Sequence, residues 1–146
     1  MGARAAARRP APGRLKVGAV LLDTTVLIDV LRGRAAGGRL LDLRRAGGVP
    51  CVCAVNVEEV FRGLRSGEEA DADRLLRALR MVPLGLDEGR KAGEWRRSFA
   101  ARGQTLSQAD CLVAAAAYSA AARLATGNPK DFPMTDVLVE HWAVGE

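Results

Sequence analysis

The chain is poor in the groups that many enzymes use for acid–base and redox chemistry. Its 146 residues hold one histidine, His141, and three cysteines, Cys51, Cys53 and Cys111. One imidazole argues against a histidine general base, and with no second cysteine pair it argues against a zinc site. An odd cysteine count without a signal peptide points to reduced thiols in a cytoplasm rather than to a disulfide framework. Aromatic residues are 4% of the chain against 49% apolar, so a core has to be built from Leu, Val and Ala. No glycine-rich phosphate loop follows a strand, which leaves a P-loop nucleotide site unsupported. The basic start runs through Pro10, Pro12 and Gly13 into a short apolar run over residues 17–22. That run is too short for a signal-peptide core and far too short to span a bilayer, so no membrane partner is expected.

What is present begins with charge. The formal net charge is +5. Arg4, Arg8, Arg9, Arg14 and Lys16 lie in the first sixteen residues with no acid among them, leaving 17 basic residues against 17 acidic ones in the remainder. Residues 1–14 therefore read as a flexible basic leader, and residues 15–146 as one near-neutral domain of ordinary size. Such a leader can contact phosphates non-specifically, or it can be a disordered extension with no binding role.

Along that domain, strand-like and helix-like segments alternate. Residues 17–22 form an apolar run ending at Asp23, as in a strand buried on both faces. Thr24 or Thr25 caps a short helix that Gly33 ends, and a helix around Leu40, Leu41 and Leu43 stops at Gly47 and Gly48. A second strand is expected over residues 49–55, followed by a helix capped by Asn56. Ser66 and Glu69 match a capping box for the next helix, residues 81–86 a third strand, and Asp87 a cap for a helix through Trp95 and Phe99. Ser107 caps an alanine-rich helix, residues 123–126 give a fourth strand, and residues 137–139 a fifth. The alternation argues for an α/β fold, a three-layer α/β/α domain with a central, mainly parallel sheet of four to five strands.

That topology gives three acids a common place. Ligands of open α/β sheets bind beyond the carboxyl ends of the strands. Asp23 ends the first strand, Glu59 follows the second, and Asp110 opens the alanine-rich helix, so all three should project into one crevice. Two carboxylates about 4 Å apart repel by roughly 4 kcal/mol at an effective dielectric near 20. A shared cation relieves that, and an all-oxygen cluster suits Mg²⁺ or Mn²⁺. Such a site acidifies water and stabilises charge on a phosphoryl oxygen, which is chemistry for hydrolysing a phosphodiester without histidine. Each acid also has a plainer role open to it. Asn56-x-x-Glu59 and Ser107-x-x-Asp110 both fit helix-capping patterns. Asp23 has no obvious structural duty. Asp29 is expected on the surface of the first helix, and Glu58 in solvent or in a salt bridge.

These stretches resemble the motifs of one family. Val20-Leu21-Leu22-Asp23-Thr24-Thr25-Val26-Leu27-Ile28-Asp29 is similar to the opening motif of PIN domains. Val57-Glu58-Glu59-Val60-Phe61-Arg62-Gly63 resembles their second motif, whose acid lies four residues before the glycine and so selects Glu59 over Glu58. Leu106-Ser107-Gln108-Ala109-Asp110-Cys111 resembles the third, and Leu124-Ala125-Thr126-Gly127-Asn128-Pro129-Lys130-Asp131-Phe132 the fourth. The resemblance implies Asp23, Glu59 and Asp110 as metal-site acids with a fourth acid near the fourth strand. It implies Mg²⁺- or Mn²⁺-dependent cleavage of RNA, in which an activated water attacks phosphorus in line and displaces the 3′ oxygen. The small size and the Arg-Gly of the second motif resemble VapC-type toxins, which pair with a small antitoxin and commonly form homodimers.

The fourth motif departs from the pattern. Asn128 stands where many relatives carry an acid, and Gly127 where a basic residue is common. Asp131 either completes the site as a fourth catalytic acid or caps the turn before Phe132. Thr25 either positions water or a phosphate or caps its helix. Arg32, Arg62 and Arg65 either flank an RNA groove or form a solvated face. Two further readings stay open: a PIN nuclease of RNA processing outside a toxin pair, and an inactive PIN module that binds a partner. Leu75, Leu76, Leu79, Trp95 and Phe99 are candidates either for the core or for dimer and antitoxin contacts.

Overall fold

The computed structural model describes residues 18–145, so the basic leader over residues 1–14, together with Lys16, lies outside the described residues. Strand β1 (Ala19–Leu22) has Val20, Leu21 and Leu22 fully buried, as an apolar strand covered on both faces must be. Helices α1 (Thr24–Leu31) and α2 (Ala35–Arg45) lead to β2 (Val49–Val52). Helices α3 (Ala54–Arg62) and α4 (Glu69–Arg77) lead to β3 (Arg80–Met81). Helices α5 (Leu86–Ala101) and α6 (Gln108–Ser119) lead to β4 (Arg123–Thr126), and a 3₁₀ turn (Pro129–Asp131) precedes β5 (Val139–His141). The five strands lie in the order β3-β2-β1-β4-β5, and every pairing is parallel. The expected three-layer α/β/α architecture is what forms.

Two apolar clusters cover the sheet. Leu21, Cys51 and Leu124 face one cluster with Trp95 of α5 and Cys111 and Ala114 of α6. Val20, Leu22, Val52 and Ala125 face the other with Leu27, Leu40, Val60 and Leu76. The alternation of Val20, Leu21 and Leu22 between clusters is the period of two that a strand imposes. The chain leaves β1 toward β2 and β3 and returns later to β4 on the other side. Between β1 and β4 the strand order therefore reverses, and their carboxyl ends open a crevice at the switch point.

Several boundaries differ from the sequence expectation for identifiable reasons. The second strand stops at Val52, and α3 begins at Ala54, because Asn56 Oδ1 accepts from Cys53 N at 2.9 Å and closes the first turn there. Asn56 is thus the third residue of α3 and not its cap. The third strand shrinks to two residues, since Pro83 has no N–H to extend the ladder after Val82 N donates to Val52 O at 2.7 Å. Asp23 itself is the N-cap of α1, in place of Thr24 or Thr25. Ser66 does not cap α4; Glu68 stands at that position, its carboxylate accepting from Arg65 N at 2.7 Å. Gly85 rather than Asp87 stands at the N-cap of α5, with Glu88 Oε1 accepting from Gly85 N at 2.7 Å. The fifth strand pairs through residues 139–141, while Val137 is buried in the core.

Asp29 is the clearest correction. It is 2% exposed rather than on the surface, accepting from Ala36 N at 2.9 Å and Gly145 N at 2.8 Å. It thereby ties the start of α2 and the C-terminal segment to α1. Trp142 is buried in that segment beneath the Arg39 guanidinium, 4.8 Å from the ring centroid. Glu58 is exposed and pairs with Arg62 at 3.1 Å, as expected. Leu76, Leu79 and Trp95 are taken up by the core, and Leu75 and Phe99 pack partly buried against it. Among the described residues, no helix is long and apolar enough to cross a membrane.

Candidate active site

Asp23 stands at the first position beyond β1, at the mouth of the β1–β4 crevice. Its backbone N donates to Ala125 O at 2.9 Å, so the sheet itself fixes its Cα. The residue is 7% exposed. Both hydroxyl donors to its carboxylate reach the same oxygen: Thr126 Oγ1 at 2.8 Å and Thr25 Oγ1 at 3.3 Å. Thr25 in turn accepts from Gly127 N at 3.0 Å, and Thr126 accepts from Asn128 N at 3.0 Å. Two threonines from opposite walls of the crevice therefore hold one carboxylate. Burial still pushes the Asp23 carboxyl above its usual range, against those hydrogen bonds, with the charge of Glu59 adding to the rise.

Glu59 is the sixth residue of α3, two turns in, so it is not the capping residue that its spacing from Asn56 suggested. Its Oε1 accepts from Thr24 Oγ1 at 2.6 Å, and its Oε2 lies 3.9 Å from Arg62. Asp110 opens α6, and Ser107 Oγ accepts from Asp110 N at 3.0 Å, so the expected serine cap forms. Asp131 lies in the 3₁₀ turn after β4, and Asn128 Nδ2 donates to its Oδ2 at 3.0 Å.

Asp110 reports how these acids sit together. Its carboxyl is pushed up to about 6, first by burial and then by the charges of Asp131, Asp23 and Glu59, against the Ser107 hydrogen bond. Among the described residues, neither Asp23, Asp110 nor Asp131 has a basic side chain at ion-pair distance. As they lie, no three of the described acidic, cysteine or histidine side chains form a ready metal-ligand cage. Mg²⁺ does not need one, because it takes one or two carboxylates and keeps several waters. The oxygen-only donors and the uncompensated negative charge around Asp110 fit such a cation.

A model of the PIN domain family matches residues 20–137, a span that contains Asp23, Glu59, Asp110 and Asp131. The chain belongs to the PIN domain family. It is 33% identical over 125 residues to "Ribonuclease VapC10" of Mycobacterium tuberculosis, an alignment covering 86% of this chain and 94% of that protein. Its fold is similar to that of VapBC2 from Rickettsia felis, solved bound to a promoter DNA fragment. The TM-score is 0.76 at 19% identity, over 85% of this chain and 98% of that one. FitAcB from Neisseria gonorrhoeae superposes with a TM-score of 0.68 at 25% identity, over 82% of this chain and 95% of that one.

In this PIN domain the sequence motifs pointed to the acids but not to everything that holds them. Thr24, Asn56 and Thr126 were passed over as site residues. The available signal for Thr126 was a hydroxyl ending an otherwise apolar strand beside Asp23. Arg32 bridges to Glu68 at 3.2 Å and to Gly63 O at 3.4 Å.

The crowded acids of the metal-free PIN domain set a pH dependence. The folded state binds a proton at Asp110 more tightly than the unfolded chain does, about 6 against 3.8. Lowering the pH through that interval therefore favours folding. Asp23, raised by burial, acts in the same direction. Glu68 and Glu88 are held below their ordinary 4.5 by hydrogen bonds, so their stabilisation is lost only below that value. In chelator, the melting temperature should rise as the pH falls from 7 toward 5. Asp110→Asn should raise it at pH 7 by about 2–5 °C, allowing for solvent screening of a half-buried group, and flatten the pH dependence. A flat wild-type profile over this interval would show that the carboxylates are not crowded.

Proposed function

We propose that this chain is a divalent-metal-dependent endoribonuclease and the toxin component of a type II toxin–antitoxin pair. The observation that supports it is that Asp23 stands at the β1–β4 switch point and that the charges of Asp131, Asp23 and Glu59 all reach Asp110. Similarity to a protein named a ribonuclease, and to structures of toxin–antitoxin complexes, supports the substrate and the partner. Residues 15–146 are the catalytic unit in this proposal, acting in the cytoplasm. A small cognate antitoxin and a second copy of the chain are its protein partners.

Asp23, Glu59 and Asp110 are the residues that would hold Mg²⁺ or Mn²⁺. When bound, the cation supplies an acidified water and positive charge for the phosphoryl oxygens. Thr25 and Thr126 fix the Asp23 carboxylate from two sides. Asn128, standing where relatives carry an acid, orients Asp131 through its amide, so that Asp131 supplies the fourth acid. Thr25 is exposed, and its hydroxyl, held by Gly127 N, would position water or a phosphate beside Asp23. Backbone and hydroxyl donors around Asp23 keep the carboxylate in place as charge builds on the phosphate.

The test is to incubate the purified chain with tRNA and ribosomal RNA, with Mg²⁺, with Mn²⁺, or in excess chelator. Discrete fragments are expected with either metal and none in chelator. Cleavage in chelator would remove the cation from the mechanism. Intact RNA with both metals would remove the ribonuclease assignment.

A further inference from the structure

Asn56 is fully buried at the start of α3, and the direction of its hydrogen bonds can be fixed from the backbone outward. Cys53 N can only donate, so the Asn56 atom 2.9 Å from it is the amide oxygen. The Cys53 thiol, 3.3 Å from the same oxygen, reinforces that orientation. The amide nitrogen is then the group 3.3 Å from Thr24 Oγ1, and it can only donate. Thr24 must accept there, so its single hydroxyl proton goes to Glu59 Oε1 at 2.6 Å. Reversing any link would set two donors or two acceptors against each other. The chain of bonds starts on a rigid peptide at the end of β2 and ends on a carboxylate. Its last link is short and charge-assisted, the strong kind of hydrogen bond. The competing pull of Arg62 is weak, since that side chain is 66% exposed and 3.9 Å away.

We propose that Asn56 and Thr24 are positioning residues, forming a one-directional relay from Cys53 N–H that sets the Glu59 side chain. The relay holds Oε1 and leaves Oε2 as the oxygen available to a cation. Its effect on metal binding rests on the metal-site function proposed above, whereas the relay itself does not.

The experiment has two arms. In chelator, thermal melts compare wild type, Thr24→Val, Glu59→Ala and the double variant. Thr24→Val should lower the melting temperature by about 3 °C in the wild-type background and by less than half of that in Glu59→Ala, because the hydroxyl then has lost its acceptor. Equal losses in both backgrounds would overturn the relay. In the second arm, calorimetry measures Mn²⁺ binding. Thr24→Val should weaken it about tenfold, while Thr24→Ser, which keeps the hydroxyl, should stay within about threefold of wild type. Wild-type affinity in Thr24→Val would overturn the positioning role. Coupling in the melts with no Mn²⁺ bound by the wild type would support the relay and overturn the metal-site function instead.

Discussion

Asp23→Asn should abolish RNA cleavage while leaving the protein folded. The substitution keeps the shape, and an Asn carbonyl can still accept from Thr126 and Thr25, which both donate to a single oxygen of Asp23. What it removes is the charge that would hold a cation. Cleavage should fall on the order of 10³-fold, about 4 kcal/mol of barrier, with Mn²⁺ affinity falling in parallel. Stability in chelator should be unchanged or slightly higher, because burial and the Glu59 charge already disfavour the ionised Asp23. A purely structural Asp23 predicts the opposite split. It is the N-cap of α1, yet its side chain makes no capping hydrogen bond, and Asn caps as well as Asp. Glu59→Gln extends the comparison. Glu59 lies beyond the first turn of α3, so its loss cannot be blamed on a capping box. Cleavage beside a thermal melt decides the matter for both variants. Full activity in either would refute the shared metal site.

The acids were legible because their placement follows from topology. A carboxylate ending a buried strand, as Asp23 does, has to lie at the carboxyl edge of a parallel sheet. What the sequence hid was the chemistry of short polar side chains. Val52-Cys53-Ala54-Val55 reads as a strand by apolarity, since short apolar runs do not distinguish strand from buried helix. The chain turns into α3 at Cys53 because one amide side chain, Asn56, bonds back to one backbone N–H. A local side-chain bond of that kind has no periodicity to betray it. The same misplacement made Glu59 look like a capping residue and concealed Thr24. The fourth motif illustrates the converse. The absence of an acid at Asn128 looks like damage in a motif, but in three dimensions the Asn128 amide donates to the carboxylate of Asp131, the next acid along the chain. Asp29 was misjudged for a further reason. Its partners, Ala36 and Gly145, are backbone groups 7 and 116 residues away, and backbone donors leave no mark in a sequence.

Asp29→Ala should be among the most destabilising single changes in the protein. The carboxylate is 2% exposed and accepts from two backbone groups, Ala36 N and Gly145 N. Alanine leaves both donors without a partner. The orphaned N–H of buried Ala36 costs about 1–3 kcal/mol and that of exposed Gly145 less, because water can reach it, with an offset from no longer burying a carboxylate. A net loss of about 1–3 kcal/mol follows, with a melting temperature about 5 °C lower. Asp29→Asn should fall between, since one oxygen is kept while the amide nitrogen meets a second donor. The damage should also reach the site. Gly145 anchors the segment whose Val144 methyls lie against Gly127; a Cβ built at position 127 would come within 2.7 Å of them. Gly127 N is the donor that holds Thr25, and Thr25 donates to Asp23. Releasing the segment frees the loop that carries Gly127, so cleavage by Asp29→Ala at a temperature where it is fully folded should drop by about tenfold or less, far short of Asp23→Asn. Urea melts at constant slope, with cleavage assayed below the transition, measure both effects. A loss of stability under about 0.5 kcal/mol would mean that the two backbone donors find water instead, and that Asp29 is not the tie between α1 and the C-terminal segment.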